Sequence, residues 1–240
     1  MNLEIAVRNA QVYRLLADAL LYPRYNWLEN LTDLNRIFEE CDLSKIDNHY
    51  HQWDLDSLQS EYSLVFGLTG SLCYETEYGL PHEFRQAQEL SDINGFYQAF
   101  GFQAGGKVRE RPDHIAVELE FMYLLALKEA DAIVNGTQTQ VEICVDAQKN
   151  FLQAHLGSWI GLFSQAVNLN NGSLAHPDAV NGQIALTVDD GLYSNLVACA
   201  AAFVNYHARK LGVSLETVEL SEVQATPLGP ELSCGECPIA

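Results

Sequence analysis

Apolar residues recur at intervals of three and four along most of this chain, and no stretch of comparable strength alternates. The pattern predicts an all-α fold, a single globular helical bundle. Ile5, Val12, Leu15, Leu16, Ala19 and Leu20 share one helical face over residues 3–22, and Pro23 stops the run just after Tyr22. A second helix is predicted from Trp27 to Phe38. Residues 40–53 are polar and broken. Leu55, Leu58, Tyr62, Val65 and Phe66 then mark a third helix, ended by Gly67 and Gly70.

From Gly67 to Pro81 neither period is present, although Leu72, Cys73, Tyr74, Tyr78 and Leu80 are apolar or aromatic, so a long ordered loop is expected. Pro81 suits the opening of a further helix with Phe84, Ala87, Leu90 and the stretch Phe96 to Phe100 inward, before Gly101, Gly105 and Gly106 interrupt the chain. Pro112 suits a first helical position, Asp113 complements the positive end of the helix dipole, and Ile115 to Leu127 is apolar almost all round. That helix should be central. Long helices are predicted over Val141 to Val167 and Leu192 to Leu211, joined through Asn168 to Asn181. Residues 1–212 read as one helical domain and 213–240 as an irregular tail containing Cys234-Gly235-Glu236-Cys237.

The chain has 240 residues, 48% of them hydrophobic, enough to bury a sizeable core. Thirteen Lys and Arg against 32 Asp and Glu leave a net charge of −19, which opposes nucleic acid and anionic lipid and would attract a basic partner. The start Met1-Asn2-Leu3-Glu4 lacks the basic and apolar regions of an export signal, and no apolar run is long enough for a bilayer. A cytoplasmic location without stable membrane insertion is expected. The 6 cysteines are mostly scattered in apolar contexts, as buried free thiols would be in a reducing compartment.

His114 and Glu118 lie one helical turn apart beside Asp113, where a metal or a hydrolytic site is conceivable. A helical metal-binding protein or nucleotide hydrolase using Asp113, His114 and Glu118 is therefore the alternative class. A ferritin-like di-iron site is excluded, because none of the 7 histidines has a Glu three residues before it. Cys234 and Cys237 supply two soft ligands where a closed site needs four. The chain has neither a Walker pattern nor a Gly-x-Ser-x-Gly elbow. What recurs instead is aromatics interleaved with acids. Asp54, Asp56, Glu61, Glu75, Glu77, Glu83, Glu89 and Asp92 face the single base Arg85, and Tyr62, Phe66, Tyr74 and Tyr78 lie among them. Such a segment suits an arginine-containing, partly apolar ligand.

Read in order, Tyr62-Ser63-Leu64-Val65-Phe66, Cys73-Tyr74-Glu75-Thr76-Glu77-Tyr78-Gly79, Ile93-Asn94-Gly95-Phe96-Tyr97-Gln98-Ala99-Phe100-Gly101, Glu110-Arg111-Pro112-Asp113-His114-Ile115-Ala116 and Glu118-Leu119-Glu120-Phe121-Met122 resemble the TorD/DmsD/NarJ family of redox-enzyme maturation chaperones. The Tyr-Glu-Thr-Glu-Tyr-Gly form is most similar to chaperones of type II dimethyl sulfoxide reductase-family molybdoenzymes. Leu72-Cys73 departs from the prolines that relatives often carry there. The resemblance implies a cytoplasmic protein, not an enzyme and without a cofactor of its own, either monomeric or a domain-swapped dimer. It would bind a molybdenum-containing catalytic subunit, often at a twin-arginine leader, and hold it for cofactor insertion before export. It further implies that Tyr62, Phe66, Tyr74, Glu75, Glu77, Tyr78, Arg111, Pro112, Asp113, His114 and Glu118 form the client-binding surface, with Glu118 orienting His114.

Overall fold

The structure is a computed structural model that describes residues 2–67, 72–78, 85–103, 110–173 and 191–215. Among the described residues the chain forms helices α1 (Leu3–Ala19), α2 (Leu31–Glu40), α3 (Leu55–Phe66), α4 (Arg85–Ala99), α5 (Ile115–Asn135), α6 (Gln138–Ala154), α7 (Leu156–Ser173) and α8 (Leu192–Lys210), with no strand. Short 3-10 turns occupy Trp27–Asn30, Asn48–Gln52 and Glu75–Glu77. The expected all-α architecture is therefore observed. The Cys234 and Cys237 pair and Phe84 fall outside the described residues, as does the predicted tail beyond residue 215.

Helix starts are written locally. Asn2 caps α1 by accepting from the Glu4 amide at 2.9 Å, Asp54 caps α3 by accepting from the Ser57 amide at 2.8 Å, and Thr137 with Gln140 forms a capping box on α6. Helix α5 lies between α1 and α6, while α7 packs on α8 and turns back along α6. Its residues Ile115, Leu119, Phe121, Met122, Leu125 and Ala126 are fully buried, which is why the run had to be apolar nearly all round. Aromatic rings knit the helices together: Phe121 meets Phe151 at 4.7 Å and Tyr97 at 4.8 Å, joining α4, α5 and α6.

Four elements depart from the pattern. Helix α1 ends at Ala19, and Ile5 is exposed at its outer end. The second helix is a 3-10 turn that runs into α2. In α4, Ile93 and Tyr97 are the buried positions and Ala87 faces solvent, because Arg85 and Glu89 hold the preceding turns against the 72–78 loop. The largest departure is the helix predicted over 141–167, which is broken at His155, with φ −126 and ψ −104.

The break folds the start of α7 tightly onto the last turn of α6. A Cβ on Gly157 would overlap the backbone carbonyl oxygen of Leu152 and approach the Leu215 side chain at 2.7 Å. Only glycine fits there without displacing backbone. Gly157→Ala is expected to destabilise the fold by about 1–3 kcal/mol, read as a lowered urea midpoint with unchanged denaturant slope.

Candidate functional site

The segment Glu110-Arg111-Pro112-Asp113-His114 lies against the 72–78 loop and is fastened to it along its length. Tyr74 and His114 form an isolated antiparallel bridge: the Glu75 amide donates to the Asp113 carbonyl at 2.9 Å, and the Ile115 amide donates to the Cys73 carbonyl at 2.8 Å. Around this bridge the side chains interlock. Asp113 is fully buried, accepting from Arg111 Nε at 3.0 Å and Nη2 at 2.7 Å, and from the Thr76 hydroxyl at 2.8 Å. Burial of a carboxylate is costly unless it is paired and hydrogen-bonded, and here a two-pronged guanidinium and a hydroxyl meet both requirements.

Arg111 reaches further. Its guanidinium stacks 4.5 Å from the Tyr74 ring centroid and stands 3.7 Å from Glu77 Oε1, while the Tyr74 hydroxyl donates to Glu110 at 3.0 Å. Burial and the Glu110 carboxylate push the Tyr74 hydroxyl up to about 12, so it stays a donor. Helix α4 secures the clasp from outside: the Tyr97 hydroxyl donates to the Pro112 carbonyl at 2.7 Å, and Arg85 donates to the Thr76 carbonyl at 2.7 Å.

The predicted metal or hydrolytic set does not converge. His114 is the N-cap of α5, its Nδ1 accepting from the Ala116 amide at 3.1 Å. That contact assigns the proton of the neutral ring to Nε2. Burial lowers its pKa to about 4, so His114 is uncharged near neutrality. Pro112 lies before this cap, outside the helix, and not at its first position. Glu118 does not orient His114; its Oε2 accepts from Trp159 Nε1 at 3.1 Å. Burial, the nearby Glu75 carboxylate and a hydrogen bond shared with Glu75 raise its pKa well above the usual carboxylate range.

Nor do all the expected contact residues face solvent. Tyr62, Tyr74, Glu77, Arg111 and Pro112 are partly exposed; Phe66, Glu75, Tyr78, Asp113, His114 and Glu118 are buried. Glu75 is turned inward onto the residue that sequence reasoning missed, His155. His155 Nδ1 lies 3.2 Å from Glu75 Oε1, and its Nε2 lies 3.2 Å from Asp92 Oδ2. Burial by itself would lower the imidazole pKa, but the Glu75 and Asp92 carboxylates outweigh it and raise the value. The break between α6 and α7 thus places an imidazole between two carboxylates. A lone histidine in the apolar run Phe151 to Phe163, two residues before Gly157, was the available signal.

The class defined by this arrangement is a helical bundle whose polar residues are spent on holding a loop in shape, leaving an aromatic and charged face at its edge. The chain belongs to the family described as nitrate reductase delta subunit, whose model matches residues 27–165, and so to the TorD/DmsD/NarJ family. That match contains the entire clasp and His155. The chain is 27% identical over 134 residues to the chlorate reductase assembly chaperone protein of Ideonella dechloratans, covering 55% of this chain and 68% of the relative. It is likewise 27% identical over 131 residues to the selenate reductase assembly chaperone protein of Thauera selenatis, covering 54% and 67%. To the chaperone protein TorD of Vibrio cholerae it is 24% identical over 157 residues, covering 59% and 68%.

Two measurements check the electrostatics. Asp113→Ala leaves Arg111 without its buried counterion and Thr76 without its acceptor, and is expected to cost about 1–3 kcal/mol in urea unfolding at pH 7. A cost within experimental error of zero would contradict the buried pairing. For His155 the folded pKa is raised, so its stabilisation is fully present below the unfolded value of about 6.5 and is lost as pH rises through the folded one. His155→Gln should therefore cost more at pH 6 than at pH 9, by about 1–2 kcal/mol; an equal cost at both would remove the charged-imidazole account.

Proposed function

We propose that this chain is an assembly chaperone for the catalytic subunit of a molybdenum-containing reductase. The observation that carries this reading is the match across 27–165 to a family whose relatives are named as assembly chaperones, in the stretch that holds the clasp. In the finer reading, the client is a catalytic subunit of the dimethyl sulfoxide reductase family, engaged at a twin-arginine leader, at its apo-subunit, or at both. It is held in the cytoplasm until its cofactor is inserted and export can follow. No described helix is long and apolar enough to cross a membrane.

The geometry supports binding through the partly exposed edge of the clasp. Tyr74 and Arg111 present an aromatic face and a guanidinium, with Tyr62 and Glu77 beside them. The buried members, Glu75, Asp113, His114 and Glu118, act by holding that edge in place. A small, rigid set of aromatic and arginine side chains is what dominates many protein interfaces. Asp113, His114 and Glu118 are each committed to a different partner, which favours the chaperone reading over a hydrolytic one.

The test is co-expression with the catalytic subunit encoded in the same host, followed by affinity capture and metal analysis. The chaperone should capture the subunit, and its deletion should lower the molybdenum content per catalytic subunit. Tyr74→Ala should reduce captured subunit about tenfold with the helical circular dichroism retained. Capture of no reductase subunit, with undiminished molybdenum on deletion, would refute the chaperone role; undiminished capture by Tyr74→Ala would refute only the clasp edge as the contact.

A further inference from the structure

Residues of α4 and α6 line a surface groove of about 460 Å³. Phe96, Phe100, Ala147 and Ile143 form its apolar lining, and Ile143 is 53% exposed. Asp92 on α4 and Asp146 on α6 stand among them, and among the described residues no basic side chain lines the groove. Gly95 faces open space, with no atom within 4 Å of where a Cβ would stand. An apolar trough with acids on both walls complements one kind of polypeptide: a segment carrying apolar side chains together with lysine or arginine.

The alternatives fit less well. A second copy of this chain brings a charge of −19 of its own, and residues 174–190 and 216–240 contain acids but neither Lys nor Arg. Like charge opposes all three. Asp92 is also not an isolated acid: it accepts His155 Nε2 at 3.2 Å, and the same imidazole contacts Glu75 beneath the clasp. Asp146 is paired with Lys149, three residues further along α6, at 3.2 Å, and an arriving cation competes with that surface pair.

We propose that the groove between α4 and α6 seats a basic, apolar segment of the client polypeptide, its apolar side chains on Phe96, Phe100 and Ile143 and its cation on Asp92 and Asp146. The identity of the polypeptide as a client rests on the chaperone reading; the chemistry of the groove does not. A cation arriving at Asp92 competes with His155 for that carboxylate, so occupancy of the groove is transmitted to Glu75 and to the base of the clasp.

The experiment uses the full-length chain and three short fluorescent peptides: one of leucine, alanine and phenylalanine with arginines at one end, one with glutamates replacing the arginines, and one with serines replacing the leucines and phenylalanines. The first should bind, and both controls should bind more weakly by about tenfold or more. Gly95→Phe, at a position where an added Cβ meets no atom within 4 Å, should weaken the first peptide about tenfold while leaving the circular dichroism spectrum unchanged. Asp92→Asn should weaken it about threefold and flatten its salt dependence.

Equal affinity of wild type and Gly95→Phe for the first peptide would overturn the proposal. So would a dimer in sedimentation that Gly95→Phe converts to monomer, which assigns the groove to a second copy. Binding that emerges only in the Lys107→Ser, Arg109→Ser double variant would overturn it too, by assigning the groove to the chain's own basic segment. Failure here is separable from failure of the chaperone role. If Gly95→Phe captures the catalytic subunit as well as wild type does, the groove proposal falls and the chaperone reading stands. If no reductase subunit is ever captured while peptide binding follows the groove variants, the groove stands and its occupant is not a reductase client.

Discussion

Everything at the edge of this bundle follows from burying the Asp113 carboxylate. A charge with no solvent access requires a counterion and hydrogen-bond donors, and the chain supplies them from the Arg111 side chain two residues earlier and from Thr76 in a distant loop. Because one donor is local and the other is not, satisfying the carboxylate fixes the loop against the start of α5. The backbone bridge between Tyr74 and His114 and the Arg111 stack on Tyr74 then fall into register. Tyr97 and Arg85 extend the same constraint to α4 by capturing backbone carbonyls on each side of the bridge.

A second buried contact between titratable groups sits beneath the first. His155 reaches Glu75 and Asp92 only because the chain leaves helical geometry at that residue, and it is the glycine two positions later that lets α7 return so closely over α6. Glu118 is held there by Trp159 from α7, so both segments that flank the break converge on one acidic cluster. The clasp and the surface between α4 and α6 therefore share a network through Glu75, His155 and Asp92. A change at one edge has a direct electrostatic route to the other.

How much of this was legible depends on the range of the interaction. The spacing from Leu55 to Phe66 predicts the bounds of α3, and the apolar run after His114 predicts a central helix, because spacing and caps are encoded within a few residues. The Glu110-to-His114 segment was also recognisable as chemically special. Its meaning was not: Glu118 was paired with His114 on spacing alone, whereas its partner is Trp159, 41 residues away. The resemblance puts Glu75 on the client-binding surface, whereas it is buried against a histidine 80 residues further on.

The sequence by itself determined the all-helical class, most helix positions, the acidic character and the family, since each is written in local periodicity, composition or short contiguous blocks. Tertiary structure alone decided which carboxylates are buried, which cation each one meets, and where the long helix over 141–167 breaks. The physical reason is that the cost of burying a charge is set by groups brought together only when the helices pack. No window of sequence contains both Glu75 and His155, and the fold gives them one shared environment.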